Sequence, residues 1–98
     1  MGGAEYVLAI DQSTAATKGL VFTSEGELVE RVTLPHQTAT PAPGRVEQDA
    51  REIRDNSYRA LREVVAQAGI PATSIQYLAI TNQRETVVAW HAETGKAV

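Results

Sequence analysis

The amino-acid sequence predicts a small domain of the α/β class. Its 98 residues are enough for one domain of ordinary size. Short apolar clusters alternate with turn residues along most of the chain, and this pattern is typical of strands. One longer segment repeats apolar residues at three- and four-residue steps, as an amphipathic helix does. The predicted order of elements is strand, strand, strand, helix, strand, strand.

The first three strands are predicted to form a meander. Residues 6–10 are an apolar run that is too short for a helix, and residues 19–22 are a second such run. Residues 24–26 (Ser-Glu-Gly) form a turn, and the apolar residues within 28–34 indicate a third strand. Because the connections are short, these strands are expected to pair antiparallel.

The predicted helix begins after Asp49 and ends before Gly69. Asp49 is a favourable N-cap residue, and Glu52, three residues later, completes an acidic version of the capping box. Gly69 suits the left-handed residue that follows a helix, and Pro71 prevents continuation. The apolar and small side chains that define the inner face lie at positions 53, 57, 60, 61, 64 and 68.

Two further apolar runs complete the predicted sheet. Residues 75–80 read as the fourth strand and residues 87–90 as the fifth, with Trp90 expected in the core. A turn at 92–95 is followed by the start of a returning strand at 97–98. Three meander strands, a helix and a strand are the first part of a ribonuclease-H-like α/β layer. In that layer the fourth strand lies beside the first.

Composition excludes several classes of partner. Nine Lys plus Arg against twelve Asp plus Glu give a net charge of -3, which argues against nucleic acid. The absence of cysteine removes thiol chemistry and disulfides, so we expect a cytoplasmic protein. The longest apolar run is far shorter than the roughly 20 residues that a membrane helix needs. We therefore expect neither a nucleic-acid nor a membrane partner.

The first candidate site joins the first two predicted strands, at residues 11–18 (Asp-Gln-Ser-Thr-Ala-Ala-Thr-Lys). A tight turn can point several backbone N–H groups in one direction, which suits a phosphate. Thr14 adds a hydroxyl donor, Lys18 adds a positive charge, and Asp11 can hold a hydrated Mg²⁺ against the phosphates. Turns commonly contain Ser and Thr without any such role, so a solvated hairpin turn is the alternative.

The second candidate site follows the fourth predicted strand, at residues 81–86 (Thr-Asn-Gln-Arg-Glu-Thr). Ligands of open α/β sheets bind beyond the carboxyl ends of strands. Arg84 can donate to hydroxyl groups and Glu85 can accept from them, as recognition of a polyol requires. The alternative is a solvated connector whose exposed Arg–Glu pair contributes less than about 1 kcal/mol.

Together these loops resemble those of the FGGY family of carbohydrate kinases. Residues 6–14 resemble the family's opening phosphate loop, and residues 80–86 resemble its substrate loop. Residues 43–49 (Pro-Gly-Arg-Val-Glu-Gln-Asp) are similar to the loop before its first helix, and residues 90–96 to its following hairpin turn. The resemblance extends in order over residues 5–98.

This resemblance implies ATP-dependent phosphorylation of a hydroxyl group in a cleft between two actin-like domains. It implies that Asp11 lies near Mg²⁺, with water between them. It also implies that Ser13, Thr14 and Lys18 lie at the nucleotide phosphates. ATP and Mg²⁺ are thus the expected cofactors.

The resemblance further implies that Gln83, Arg84 and Glu85 bind the hydroxyl groups of the acceptor. Glycerol is the acceptor that it favours, and a pentulose or another sugar is the alternative. Family members are several times longer, so residues 1–98 are expected to be the N-terminal portion of the family's N-terminal domain, without the second domain. No catalytic residue is expected here, because the family's catalytic Asp would lie beyond residue 98. This portion alone is expected to be inactive and to self-associate through uncovered apolar faces.

Two alternatives belong to other classes. A ribonuclease-H-like nuclease would share the strand pattern, but it needs several carboxylates around two metal ions, and the fourth predicted strand ends in Thr81 and Asn82. A non-enzymatic actin-like scaffold would give Arg84 and Glu85 no role.

Overall fold

The computed structural model describes residues 5–83 and 86–98. Through the fourth strand, its elements follow the predicted order. Their bounds are Tyr6–Gln12 for strand β1, Ala16–Thr23 for β2, Leu28–Pro35 for β3, Ala50–Ala68 for helix α1, Ala72–Ser74 for a short 3₁₀ turn, and Ile75–Thr81 for strand β4.

The strands form one mixed sheet in the order β3-β2-β1-β4. β1 pairs antiparallel with β2, and β2 pairs antiparallel with β3. β4 pairs parallel with β1, which requires the long crossover that contains α1. The meander and the position of the fourth strand beside the first are confirmed.

Helix α1 packs mainly over β2 and β3 and makes fewer contacts with β1. The approach is close at Gly19 of β2, where an added Cβ would lie 2.7 Å from the carbonyl oxygen of Ala60. The β4 side of this face is uncovered, so Leu78 and Ile80 are exposed. The buried core consists of Leu8, Ile10, Val21, Val32, Leu34, Ala60 and Val64.

Both ends of α1 lie where the sequence predicts them. The Asp49 carboxylate accepts a hydrogen bond of 2.8 Å from the N–H of Arg51, and Gly69 has a φ of 68°. The prediction of a capping box at Glu52 is wrong. Its carboxylate accepts from the N–H of Gln37 at 2.7 Å, because the loop after β3 passes beside the first turn of the helix. Within the described ranges, no helix is long and apolar enough to span a membrane.

The prediction of a fifth strand at 87–90 is wrong. This segment shows one isolated antiparallel bridge, between Trp90 and Ala97. The predicted turn is present, since the N–H of Gly95 donates to the carbonyl of His91 at 2.8 Å. No described strand of the sheet pairs with this segment, so it lacks the ladder that a strand requires. Trp90 is 62% exposed instead of buried, because the described core does not extend to it.

Candidate functional site

The two candidate loops meet at one end of the sheet. Because β1 and β4 are parallel, their carboxyl ends lie side by side, and Asp11 pairs with Thr81 in the register. A cleft of about 710 Å³ opens at this end. It is lined by Asp11, Gln12, Ser13, Thr14, Thr81, Asn82 and Gln83.

Asp11 is held by the neighbouring strand. The hydroxyl of Thr81 donates to Oδ1 of Asp11 at 2.9 Å, over a separation of 70 residues in the sequence. This bond uses one carboxylate oxygen and fixes the orientation of the group. A carboxylate oriented in this way can also receive hydrogen bonds from water at its second oxygen.

The turn between β1 and β2 is closed by Ser13. Its N–H donates to the carbonyl of Ala16 at 2.9 Å. Its hydroxyl also donates to that carbonyl, at 3.1 Å, and accepts from the N–H of Ala16 at 3.3 Å. Both polar groups of Ser13 are therefore used within the turn, while Thr14 is exposed at its tip. A phosphate contact by Ser13 stays a prediction.

Lys18 lies directly opposite Asp11 in the β1–β2 ladder. The adjacent pair of this ladder, Ile10 and Gly19, faces α1. Side chains alternate along a strand, so Asp11 and Lys18 share the face of the sheet that points away from the helix. Among the described residues, no carboxylate forms an ion pair with the Lys18 amine. The amine is thus available to an anionic ligand.

The predicted acceptor-binding residues are only partly within the described structure. Gln83 lines the cleft and is partly buried. Its side-chain nitrogen donates to Oε1 of Gln48 at 2.8 Å. Arg84 and Glu85 lie outside the described residues.

Gln48 connects the two loops, and the sequence analysis did not single it out. Its side-chain nitrogen donates to the carbonyl of Thr14 at 2.7 Å and is 3.2 Å from the hydroxyl of Thr38. Its oxygen accepts from Gln83. The sequence feature that could have indicated Gln48 is its position in the loop before the predicted helix, directly before the N-cap Asp49.

A buried polar network supports the start of β2. The side chain of His36 is fully buried, and its Nε2 is 2.8 Å from the hydroxyl of Thr17. Its Nδ1 is 3.2 Å from the amide nitrogen of Asn56 on α1. The amide nitrogen donates, so Nδ1 accepts and the proton on Nε2 is donated to Thr17. Nothing in the sequence patterns described above singles out His36. Thr17 is the residue that could have indicated this network. It lies on the inward face of β2, next to Lys18, and a buried hydroxyl requires a hydrogen-bond partner.

The donor set at the cleft fits a hydrated magnesium ion. Within residues 5–83 and 86–98, no group of three or more His, Asp or Glu residues is placed to hold a metal ion. Mg²⁺ retains several waters and is commonly bound by one or two carboxylates together with substrate phosphates. Asp11, fixed by Thr81, is suited to such a contact through water.

These features define a class of protein. A mixed sheet carries a polar cleft at the carboxyl ends of two parallel strands, with a carboxylate and a lysine on one face. Such a cleft is where α/β domains bind phosphorylated ligands. The chain is therefore an α/β domain of the ribonuclease-H-like type with a candidate ligand-binding cleft.

The chain belongs to the FGGY family of carbohydrate kinases. The family's N-terminal domain matches residues 6–98. Glycerol kinase 1 of Thermotoga maritima is 50% identical over 93 residues, which are 95% of this chain and 19% of that protein. Glycerol kinase of Haloferax volcanii is 41% identical over 98 residues, which are 100% of this chain and 19% of that protein. The chain thus spans about a fifth of the length of these relatives.

Solved structures confirm the fold. Plasmodium falciparum glycerol kinase with ADP matches with a TM-score of 0.81 and 33% identity, over 100% of this chain and 20% of that one. Xylulose kinase from Rhodospirillum rubrum matches with a TM-score of 0.82 and 21% identity, over 96% of this chain and 19% of that one. The family match decides against the nuclease alternative.

Proposed function

We propose that the protein containing this chain is an ATP-dependent kinase that phosphorylates glycerol. The observation that carries the proposal is the placement of Asp11, Lys18 and Thr81 at the joined carboxyl ends of β1 and β4. The names of the similar proteins, which are glycerol kinases, support ATP and glycerol as the substrates.

The turn and Lys18 bind the nucleotide in this proposal. The exposed tip at Thr14 offers a hydroxyl and backbone N–H groups to phosphate oxygens, and Lys18 offsets their negative charge. When bound, Mg²⁺ would neutralise charge on the phosphates. Asp11 would hold it through water, oriented by the Thr81 hydroxyl. These residues position the phosphates, which is the main contribution of a protein to phosphoryl transfer.

The acceptor binds on the β4 side of the cleft. Gln83 lines it, and the proposed roles of Arg84 and Glu85 follow from the family resemblance, because both residues lie outside the described structure. A hydroxyl oxygen of glycerol forms a bond to the γ-phosphorus, the bond from that phosphorus to ADP breaks, and the hydroxyl proton passes to a base. We place that base outside these 98 residues. A cytoplasmic location also stays a prediction.

Steady-state kinetics of the full-length protein test the proposal. ADP formation is measured with glycerol, xylulose and gluconate at saturating MgATP. We expect glycerol to have the highest kcat/KM. A higher kcat/KM for xylulose would identify a pentulose, instead of glycerol, as the acceptor. If the folded protein formed no ADP with any of the three compounds, the kinase proposal would be contradicted.

The variant Asp11→Asn tests the site. Loss of the charge that holds the hydrated ion is expected to lower kcat at least about 100-fold. Asp55→Asn is the matched control, since Asp55 is exposed on α1 and, among the described residues, pairs only with its neighbour Arg54. Full activity of Asp11→Asn at low Mg²⁺ would exclude the proposed role of Asp11.

A further inference from the structure

We infer that Gln48 is a positioning residue that sets the orientation of the Gln83 amide in the cleft. The Gln48 side chain is itself held by the carbonyl of Thr14. One side chain therefore connects the turn between β1 and β2 to the segment after β4 that contains Gln83. The inference rests on the proposed function for the identity of the two ligands. The orientation itself follows from the hydrogen bonds alone.

The orientation of both amides is determined stepwise. A backbone carbonyl can only accept, so the group of Gln48 that meets Thr14 at 2.7 Å must be its NH₂. The Oε1 atom of Gln48 then faces Gln83 and must accept, so the group of Gln83 at 2.8 Å must be its NH₂. A reversed amide at either position would bring two acceptors or two donors together.

The orientation of the Gln83 amide determines where its Oε1 atom lies. This atom is buried and has no hydrogen-bond partner among the described residues. A buried acceptor without a partner costs free energy, so a ligand that donates to it is favoured over one that does not. A hydroxyl group of the acceptor substrate that reaches this atom would donate to it, whereas a carboxylate or phosphate oxygen could not.

Gln48 is well placed to hold this orientation. Its nitrogen is also 3.2 Å from the hydroxyl of Thr38, and its backbone precedes the N-cap Asp49 of α1. The side chain is therefore held by the Thr14 carbonyl and the Thr38 hydroxyl, at a residue next to the start of α1. A supporting residue anchored on a rigid element can hold a binding group in a productive geometry.

Two variants distinguish the contact of Gln48 with Thr14 from its contact with Gln83. Gln48→Glu keeps an oxygen for the NH₂ of Gln83 but places the other oxygen against the carbonyl of Thr14. Gln48→Leu removes both contacts. We expect Gln48→Glu to raise the KM for ATP about tenfold with the KM for glycerol within twofold. We expect Gln48→Leu to raise both KM values about tenfold, with kcat changed less.

The matched controls lie on the exposed surface. Gln76→Glu on β4 and Gln67→Leu on α1 make the same chemical changes at exposed residues whose side chains form no hydrogen bond in the described structure. We expect both controls to keep the kinetics of the unmodified protein. A lower melting temperature with unchanged KM values for both Gln48 variants would show a purely structural role and overturn the inference. Equal effects of the two variants on both KM values would also overturn it.

A measurement without turnover keeps the inference separate from the proposed function. Full-length protein labelled with ¹⁵N-glutamine reports the side-chain NH₂ signals of Gln48 and Gln83. We expect Gln48→Leu to shift the Gln83 signals and speed their exchange with solvent, and Gln48→Glu to preserve their protection. If no substrate is phosphorylated but this pattern is found, the kinase proposal fails and the positioning role stands. Unchanged Gln83 signals in Gln48→Leu would refute the positioning role.

Discussion

Replacing Gly19 by alanine tests how closely α1 packs on the sheet. The new Cβ would lie 2.7 Å from the carbonyl oxygen of Ala60, 3.0 Å from its carbonyl carbon and 3.2 Å from Cγ1 of Val64. Ala60 and Val64 are both 0% exposed, so the helix can yield only by opening the core. Overpacking of this kind lowers the free energy of unfolding by about 1–3 kcal/mol.

Urea unfolding of the chain, followed by far-ultraviolet circular dichroism, measures this effect. All variants are compared at one protein concentration, because the self-association expected of the isolated chain makes the midpoint depend on concentration. With an m value of about 1 kcal/mol/M for a small domain, the midpoint is expected to fall by about 1–3 M. Gly26→Ala is the control, because nothing lies within 4 Å of its Cβ and only its φ of 91° is unfavourable. We expect that variant to lose about 1 kcal/mol. A midpoint for Gly19→Ala equal to or above that of the unmodified chain would refute the packing argument.

Three further predictions concern the acceptor, the isolated chain and its association. In the full-length protein, Glu85→Gln is expected to lower kcat/KM for glycerol at least about tenfold, with nucleotide affinity unchanged in a binding assay, because a charge-assisted hydrogen bond is lost. The 98-residue chain alone is expected to form no ADP from ATP and glycerol, since it spans 19% of a similar kinase. The edge strand β4 exposes Tyr77, Leu78 and Ile80, so we expect the isolated chain to self-associate. Sedimentation equilibrium that gives the monomer mass at all micromolar concentrations would contradict this.

Local patterns in the sequence predict most of the fold. The cap at Asp49 and the left-handed Gly69 depend on neighbouring residues, so the ends of α1 could be located in advance. The carboxyl ends of β1 and β4 could also be recognised as a candidate site, because polar runs follow apolar ones there. The predicted strand at 87–90, which the structure does not form, could not be assessed in the same way. Its apolar residues suit a strand, but a strand also needs a neighbour in the sheet.

Contacts between distant segments explain what the sequence does not reveal. Gln48 meets Thr14 across 34 residues and Gln83 across 35 residues. Glu52 meets Gln37 across 15 residues, and this contact replaces the expected capping box. A side chain with several donors and acceptors has many chemically equivalent partners in a sequence. Only the packing of α1 on the sheet determines which partner is within reach.

The packing of α1 and the ligand cleft depend on the same stretch of β2. Thr17 and Gly19 face the helix. The Thr17 hydroxyl forms a hydrogen bond with His36, and Gly19 allows the close approach of Ala60. Lys18, between them, faces the opposite side beside Asp11. Because the two inward residues are held from the helix side, the backbone that carries Lys18 is fixed before any ligand binds. The close contact at Gly19 thus contributes to the position of Lys18, which we propose to bind phosphate, as well as to the stability of the domain.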